Sequence, residues 1–466
     1  MNLLQAIADE ALFAPWFRDA ATWATWRAFL AALFGLPMTA DQGAAFAKHT
    51  GRTDAPTEAA DEAWLICGRR AGKSFMLALI AVFLACFKNY RPYLQPGERG
   101  TVIIVAADRR QARTIFRYIS GLLTRVPMLS RMIERETADC FDLTNDVSIE
   151  IGTASFRSSR GYTIVAALCD EIAFWQTDDS ANPDYEILDA LRPGMATIPG
   201  AMLLCASSPY ARRGALHDAH TRYFGKPGSI LVWKATTRDM NPSVPQSTVD
   251  RALERDRAAA SSEWLAEFRQ DISAFVDRRI VESCVDANEI ERPYKASTRY
   301  VAFVDPSGGS SDSMTLGIGH RDKDSILVDV VREIVAPFDP ESATEEFSGV
   351  LKSYGVQYVT GDRYAGEWPR QAFRKRGIQY EPSEQPKNSL YLDLLPKLNS
   401  RSIRLLDNVR SINQLAALER RTSRGGKDTI DHPPAGHDDV ANVIAGVAAC
   451  VANQARNTFS QRPLGI

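Results

Sequence analysis

The stretch WLICGRRAGKSFMLALI, Trp64 to Ile80, constrains this chain more than any other. A short apolar run, a glycine-bearing loop and a longer apolar run follow one another. That order reads as a buried strand, a tight turn and a helix. Loop amides followed by a helix N-terminus make an anion cradle. The common phosphate-binding loop is G-x-x-x-x-G-K-[ST]. Gly72, Lys73 and Ser74 supply its end, Cys67 stands where the first glycine belongs, and Gly68 comes one place late. In this reading Lys73 neutralises nucleotide phosphates and Ser74 holds Mg²⁺ through its hydroxyl. The plainer alternative is a glycine turn beside a solvated lysine. The order of strand, loop, GKS and long apolar helix counts against it.

Two later strands carry polar ends that complete such a site. TIVAALCDEIAFW ends its apolar run in Asp170-Glu171. One carboxylate there can hold the magnesium shell, and its neighbour can orient or activate water. Two acids that merely cap the next helix are the alternative. LLCASSPYARRG ends in Ser207-Ser208-Pro209, which reads equally as a hydrolysis-sensing strand end or as an ordinary turn. Arg69, Arg70 and Arg160 are candidate phosphate contacts, each also readable as a solvated side chain.

Strand-like runs at AWLIC, GTVIIVAA, SIEIGTA, TIVAALCDE and GAMLLCASS alternate with helical segments, which is the pattern of an open parallel sheet. Ligands bind such sheets at the carboxyl ends of their strands. The expected organisation is a helical segment over residues 1–59, an α/β ATPase domain over 60–239 and a charged helical linker over 240–296. A second α/β domain follows over 297–455, with a loose tail over 456–466.

The second domain carries acids far apart in sequence. Asp305 ends VAFVD, Asp362 ends YVTGD, and Asp438-Asp439 open the last helix. Brought together, such carboxylates repel one another unless cations sit between them. Two Mg²⁺ or Mn²⁺ ions about 3.5–4 Å apart suit the cluster and drive phosphodiester hydrolysis. Taken singly, Asp438 is readable as a helix cap, Asp305 before Pro306 as a turn residue, and Asp312 as a loop acid. With Val440, Ile444 and Val447 facing the core, Asp439 lies nearer that face than Asp438, and the choice between them stays open.

Composition narrows the class. A net charge of −2 over 466 residues makes any nucleic-acid contact a matter of local basic patches. The seven cysteines are scattered and form no C-x-x-C, so they read as reduced core residues. The six histidines form no zinc-like cluster. The N-terminus lacks a basic n-region and does not read as a signal peptide. The apolar run FMLALIAVFLACF is too short for a membrane span.

In this order the segments CGRRAGKS, RGYTIVAALCDEIAFW, CASSPYARRG, FVDPSGGSSDSMTLGIGH, TGDRYAGEW and GHDDVANVIAG resemble the large subunit of tailed-phage and prophage terminases. The resemblance runs from about residue 20 to 455. It implies an ATPase that packages double-stranded DNA into a viral procapsid, followed by an RNase H-like nuclease that cuts concatemeric DNA. Family phosphate loops that drop the first glycine and carry an arginine account for Cys67 and Arg69.

By the same resemblance Arg69, Gly72, Lys73, Ser74 and Asp170 bind nucleotide and magnesium, with Glu171 as catalytic carboxylate. Ser207-Ser208 form the coupling motif. Asp305, Asp362 and Asp438 are the nuclease acids, helped by Asp312 and Asp439. Gln42 is the one candidate for an adenine contact. The implied cofactors are ATP and Mg²⁺, with Mn²⁺ able to substitute at the nuclease. The implied partners are DNA, a small terminase subunit, the portal protein and a ring of like subunits, with no membrane. The implied place is the cytoplasm of an infected or lysogenic bacterial host, not the mature virion. Two other readings are a P-loop helicase or repair ATPase and an inactive prophage-derived DNA-binding protein. Strand-end aspartates in place of a second motor domain count against the first. Intact Lys73, Glu171, Asp305 and Asp362 count against the second.

Overall fold

Eight strands build the first sheet: β1 (Glu62–Cys67), β2 (Gly100–Ala106), β3 (Ile133–Glu136), β4 (Cys140–Leu143), β5 (Val147–Thr153), β6 (Thr163–Asp170), β7 (Met202–Ser207) and β8 (Ile230–Ala235). They lie in the order β3-β4-β5-β2-β6-β7-β1-β8. From β5 to β8 all neighbours are parallel. β3 and β4 close one edge antiparallel. The five strands anticipated from the sequence are β1, β2, β5, β6 and β7. β3, β4 and β8, at the two ends of the sheet order, are additional to these. The computed structural model describes every residue except 154–160, 176–182, 311, 363–366, 423–427, 435 and 461–466.

Central strands are buried along nearly their whole length because both faces are covered. Alternation along β1 sends Ala63, Leu65 and Cys67 into one core and Trp64 and Ile66 into the other. The first core also takes Leu3, Trp26 and Phe29 from the N-terminal helices. Residues 1–59 are therefore integral to this unit.

The described residues up to Asp271 form one unit and those from Ile272 another. The segment read as a linker, 240–296, is divided between them. Its helices Gln246–Arg255 and Arg257–Leu265 belong to the first unit, where the Arg269 amide donates to the Tyr210 carbonyl at 2.7 Å.

The second unit adds β9 (Ile272–Ala274), β10 (Tyr300–Asp305), β11 (Met314–Asp322), β12 (Ser325–Ile334), β13 (Tyr358–Gly361), β14 (Gln379–Pro382), β15 (Ile403–Arg404), β16 (Glu419–Thr422) and β17 (Asp428–Asp431). β10, β11 and β12 form an antiparallel meander. β13 joins the free edge of β10 in parallel, and β14 joins β13. The order β14-β13-β10-β11-β12-β15 is an RNase H-like sheet with an added edge strand. β17, β16 and β9 make a small separate sheet.

The helix Asp439–Ser460 packs across β10 and β11. It approaches closely because small residues meet: a Cβ on Gly446 would collide with the Phe303 ring, and one on Gly317 would stand 2.9 Å from Val447. This helix continues to Ser460, so the expected loose tail over 456–466 is helical in its first part, and 461–466 lie outside the described residues.

Candidate active sites

β7 lies between β1 and β6, which brings three strand ends side by side. Ile66 pairs with Ser207, and Asp170 pairs with Ala206. The phosphate loop leaves β1, and distant residues fix its backbone. Trp26 Nε1 donates to the Ala71 carbonyl at 2.9 Å, the Thr237 hydroxyl to the Arg69 carbonyl at 2.8 Å, and Asn241 Nδ2 to the Arg70 carbonyl at 2.9 Å. Gly68 is required because a Cβ there would collide with Thr237 and crowd the Trp264 carbonyl. Gly72 takes φ 99°, a conformation that glycine adopts without steric cost.

Lys73 is only 5% exposed. A buried ammonium needs partners. Lys73 Nζ donates to the carbonyls of Cys67 (3.1 Å) and Gly68 (3.3 Å) and stands 3.3 Å from Glu171 Oε1. The other oxygen, Glu171 Oε2, accepts from the Ser208 amide (3.0 Å) and lies within hydrogen-bond reach of the Ser207 and Ser208 hydroxyls (3.0 and 3.2 Å). These contacts hold Glu171 in the left-handed region at φ 51°, which is unusual for a residue with a Cβ.

Asp170 is fully buried. Its Oδ2 accepts from the Ser74 hydroxyl at 3.1 Å, and its Oδ1 has no hydrogen-bond partner among the described residues. Burial first, and Glu171 second, push its carboxyl up to about 7. A buried oxygen without a partner beside a serine hydroxyl is a donor set that fits Mg²⁺.

The second acid group forms at the ends of β10 and β13. Asn442, on the final helix, donates through Nδ2 to Asp305 Oδ2 (2.7 Å) and reaches Asp362 Oδ2 (3.5 Å). The Asp362 carbonyl accepts from the Tyr380 hydroxyl at 2.6 Å. Burial pushes the Asp305 carboxyl up to about 7, reinforced by Asp439 and Asp362. Asp439 is pushed up to about 6 by burial and then by Asp438. Asp439 Oδ2 is buried without a hydrogen-bond partner among the described residues.

Asp438 is arranged differently. Its Oδ1 takes a hydrogen bond from Lys387 (2.6 Å) and its Oδ2 one from Tyr391 (2.8 Å). Among the described residues no three His, Cys, Asp or Glu side chains already converge as a metal-holding group. The Asp439 oxygen, which faces His437 at 4.0 Å, and the raised Asp305 and Asp439 fit divalent cations that would draw the acids together.

Residues 65–182 match the family model described as terminase large subunit, T4likevirus-type, N-terminal. That segment, about a quarter of the chain, is similar to the N-terminal part of terminase large subunits. Among solved structures, the HK97 bacteriophage large terminase is 14% identical, with a TM-score of 0.37 over 84% of this chain and 91% of that one. A large terminase from a thermophilic bacteriophage, solved in complex with ATP-gamma-S, is 13% identical, with a TM-score of 0.36 over 83% and 94%. The large terminase nuclease of thermophilic phage G20c with bound magnesium is 14% identical, with a TM-score of 0.33 over 36% and 94%. These likenesses are too weak to carry a residue-level correspondence. No curated protein matches the chain.

Of the terminase residues expected from the sequence, Lys73, Ser74, Asp170, Glu171, Ser207 and Ser208 come together, and so do Asp305 and Asp362. Both Asp438 carboxylate oxygens are engaged by Lys387 and Tyr391, whereas Asp439 acts on Asp305 through its charge. Asp312 is exposed, although its charge acts on Asp439. Arg69 is 62% exposed and pairs with Glu263 at 2.9 Å rather than with the acids. Gln42 closes a capping box with Thr39 at the start of helix Ala40–Thr50, which engages its side chain locally. Arg160 lies outside the described residues. Cys67 is a core residue whose thiol burial pushes up to about 12.

The sequence reading missed Asn442, Lys387, Tyr391 and the loop holders Trp26, Thr237 and Asn241. Asn442 had a faint signal: it follows Asp439 by three residues and so shares a helix face with it.

Proposed function

We propose that this terminase-family chain hydrolyses ATP to move double-stranded DNA into a viral procapsid and cuts concatemeric DNA at a second, metal-dependent site. The observation that carries the reading is Glu171, held between Lys73 on the phosphate loop and Ser207-Ser208 on the intervening strand. Lys73 is positioned to exchange Glu171 for nucleotide phosphate. Released from that pair, Glu171 is free to orient water and take its proton. Ser207 and Ser208 touch the same carboxylate, so its movement is passed to the segment that follows β7. Ser74 and Asp170 would hold Mg²⁺, which offsets phosphate charge when bound.

At the second site Asp305, Asp362 and Asp439 would hold Mg²⁺ or Mn²⁺, which when bound generates the nucleophile and stabilises the leaving oxygen of a phosphodiester. Asn442 spaces two of these acids, and Lys387 with Tyr391 anchors Asp438 and hence the start of the helix that carries Asp439. The partners in this reading are DNA, a small terminase subunit, the portal protein and further copies of the chain in a ring, in the host cytoplasm. Among the described residues no helix is long and apolar enough to cross a membrane.

The test is supercoiled-plasmid cleavage with Mg²⁺ or Mn²⁺ alongside phosphate release from ATP. The expected result is cutting by wild type and by Lys73→Ala, no cutting by Asp305→Ala, and no ATP hydrolysis by Lys73→Ala. ATP hydrolysis without cutting at any metal concentration would refute the nuclease half and favour a helicase-like motor.

A further inference from the structure

The helix Arg109–Arg125 carries five arginines and no acid, in a protein whose net charge is −2. Arg109, Arg113 and Arg117 follow at four-residue spacing with Arg110 beside them, and all four are exposed. The opposite face, including Ala112, Ile115, Phe116 and Ile119, is buried. Like charges at this spacing weaken a helix, so helix formation does not account for the row.

Three exposed or half-exposed arginines elsewhere in the unit pair with acids: Arg91 with Asp146 (2.9 Å), Arg99 with Glu134 (3.1 Å) and Arg135 with Asp142 (2.7 Å). Among the described residues none of the four arginines in the row forms an ion pair. Arg117 contacts only its own helix, at the Arg113 carbonyl (3.3 Å) and the Thr114 hydroxyl (3.4 Å). The row from Arg109 to Arg117 is about 12 Å long at a rise of about 1.5 Å per residue. A ligand that fits it carries negative charges repeated along a line, as a duplex does with a charge about every 1.7 Å of its axis. The helix begins just past β2, at the sheet edge where the nucleotide site forms. Its Tyr118 ring meets Phe75, the neighbour of Ser74, at 5.5 Å.

We propose that this arginine row is the surface by which the first unit grips the phosphate backbone of double-stranded DNA. The proposal rests on the reading of DNA as substrate and names the face that holds it. Contacts of this kind go to phosphate and are blind to sequence.

The experiment is fluorescence anisotropy of a labelled duplex with the full chain over a salt series. It compares wild type, Arg113→Glu with Arg117→Glu, the milder Arg113→Gln with Arg117→Gln, and the control Arg91→Glu. Losing two phosphate contacts should reduce the slope of log K against log salt by about 1.8 in both double variants. Affinity should fall by about tenfold or more, equally for unrelated sequences, with the melting temperature unchanged. The control should keep the wild-type slope. A double variant that melts like wild type and keeps its affinity and slope overturns the proposal and leaves the row to an acidic protein surface. A wild type that binds no duplex at any salt overturns both this proposal and the DNA reading beneath it.

Discussion

At the end of β6, Glu171 faces a lysine at 3.3 Å and accepts from the Ser208 amide. At the end of β10, Asp305 faces an amide nitrogen at 2.7 Å and two further acids that raise its pKa. Both sites put carboxylates at strand ends under heavy burial. The first carries its own balancing cation. In the second, Lys387 is committed to Asp438, and among the described residues Asp439 has only His437 at 4.0 Å, a cation only when protonated. A carboxylate pair short of positive charge binds protons or metal ions. In the proposed reading the first site balances Glu171 with a lysine of its own, and the second draws its balancing charge from divalent ions.

The largest expected effects separate the two sites. Glu171→Gln should lower ATP hydrolysis by about 10²–10⁴-fold, the range for losing a positioned base, with plasmid cutting intact. Asp305→Asn should do the reverse. Phosphate release and gel assays on the same preparations check both, and loss of both activities in either variant breaks the comparison.

Next comes the choice between adjacent aspartates. Asp439→Asn should lower cutting by at least about 10–100-fold, the range for disturbing a metal's immediate surroundings, with little change in stability. Asp438→Asn leaves Lys387 and Tyr391 short of an acceptor, so it should cost about 1–3 kcal/mol, measured by urea unfolding. The opposite pattern returns the metal to Asp438.

Gly446→Ala is a smaller test of the second site alone. The added methyl meets the Phe303 ring, and overpacking of this kind costs about 1–3 kcal/mol. Cutting should fall as the helix bearing Asp439 and Asn442 shifts, while ATP hydrolysis holds.

The smallest effect concerns the first unit and pH. Burial, then Lys234 and His217, push His220 down to about 4. An unfolded imidazole titrates near about 6.5. Between those values the unfolded chain binds a proton that the folded chain refuses, so stability falls as pH falls through the window. His220 packs against Phe224 and Phe268 at 4.9 and 5.4 Å. His220→Phe should therefore flatten the melting-temperature profile between pH 6.5 and 4 without altering it at pH 8.

What the sequence made legible was local. Apolar runs ending in acids announce β6, β10 and β13, and GKS after an apolar strand announces the phosphate loop. What it hid depended on contacts between distant residues. Nothing near Trp26 predicts a bond to the Ala71 carbonyl, and nothing near Thr237 or Asn241 marks them as clamps on Arg69 and Arg70. The boundary at Asp271 was hidden because the charged helices before it look like a linker until their packing is seen. Asp438 and Asp439 were indistinguishable by chemistry. Lys387 and Tyr391, which separate them, come from a helix some fifty residues earlier, as the sequence separations of 51 and 47 record.

The central claim is that the second site needs ions from outside while the first carries its own cation. The most direct measurement is calorimetric titration of Mn²⁺ into the nucleotide-free protein, comparing wild type, Asp305→Asn and Lys73→Ala. The account predicts the same metal uptake by wild type and Lys73→Ala and, in Asp305→Asn, loss of the second-site part, leaving only binding at Ser74 and Asp170. Uptake that Asp305→Asn leaves unchanged, or second-site binding that disappears in Lys73→Ala, would contradict it.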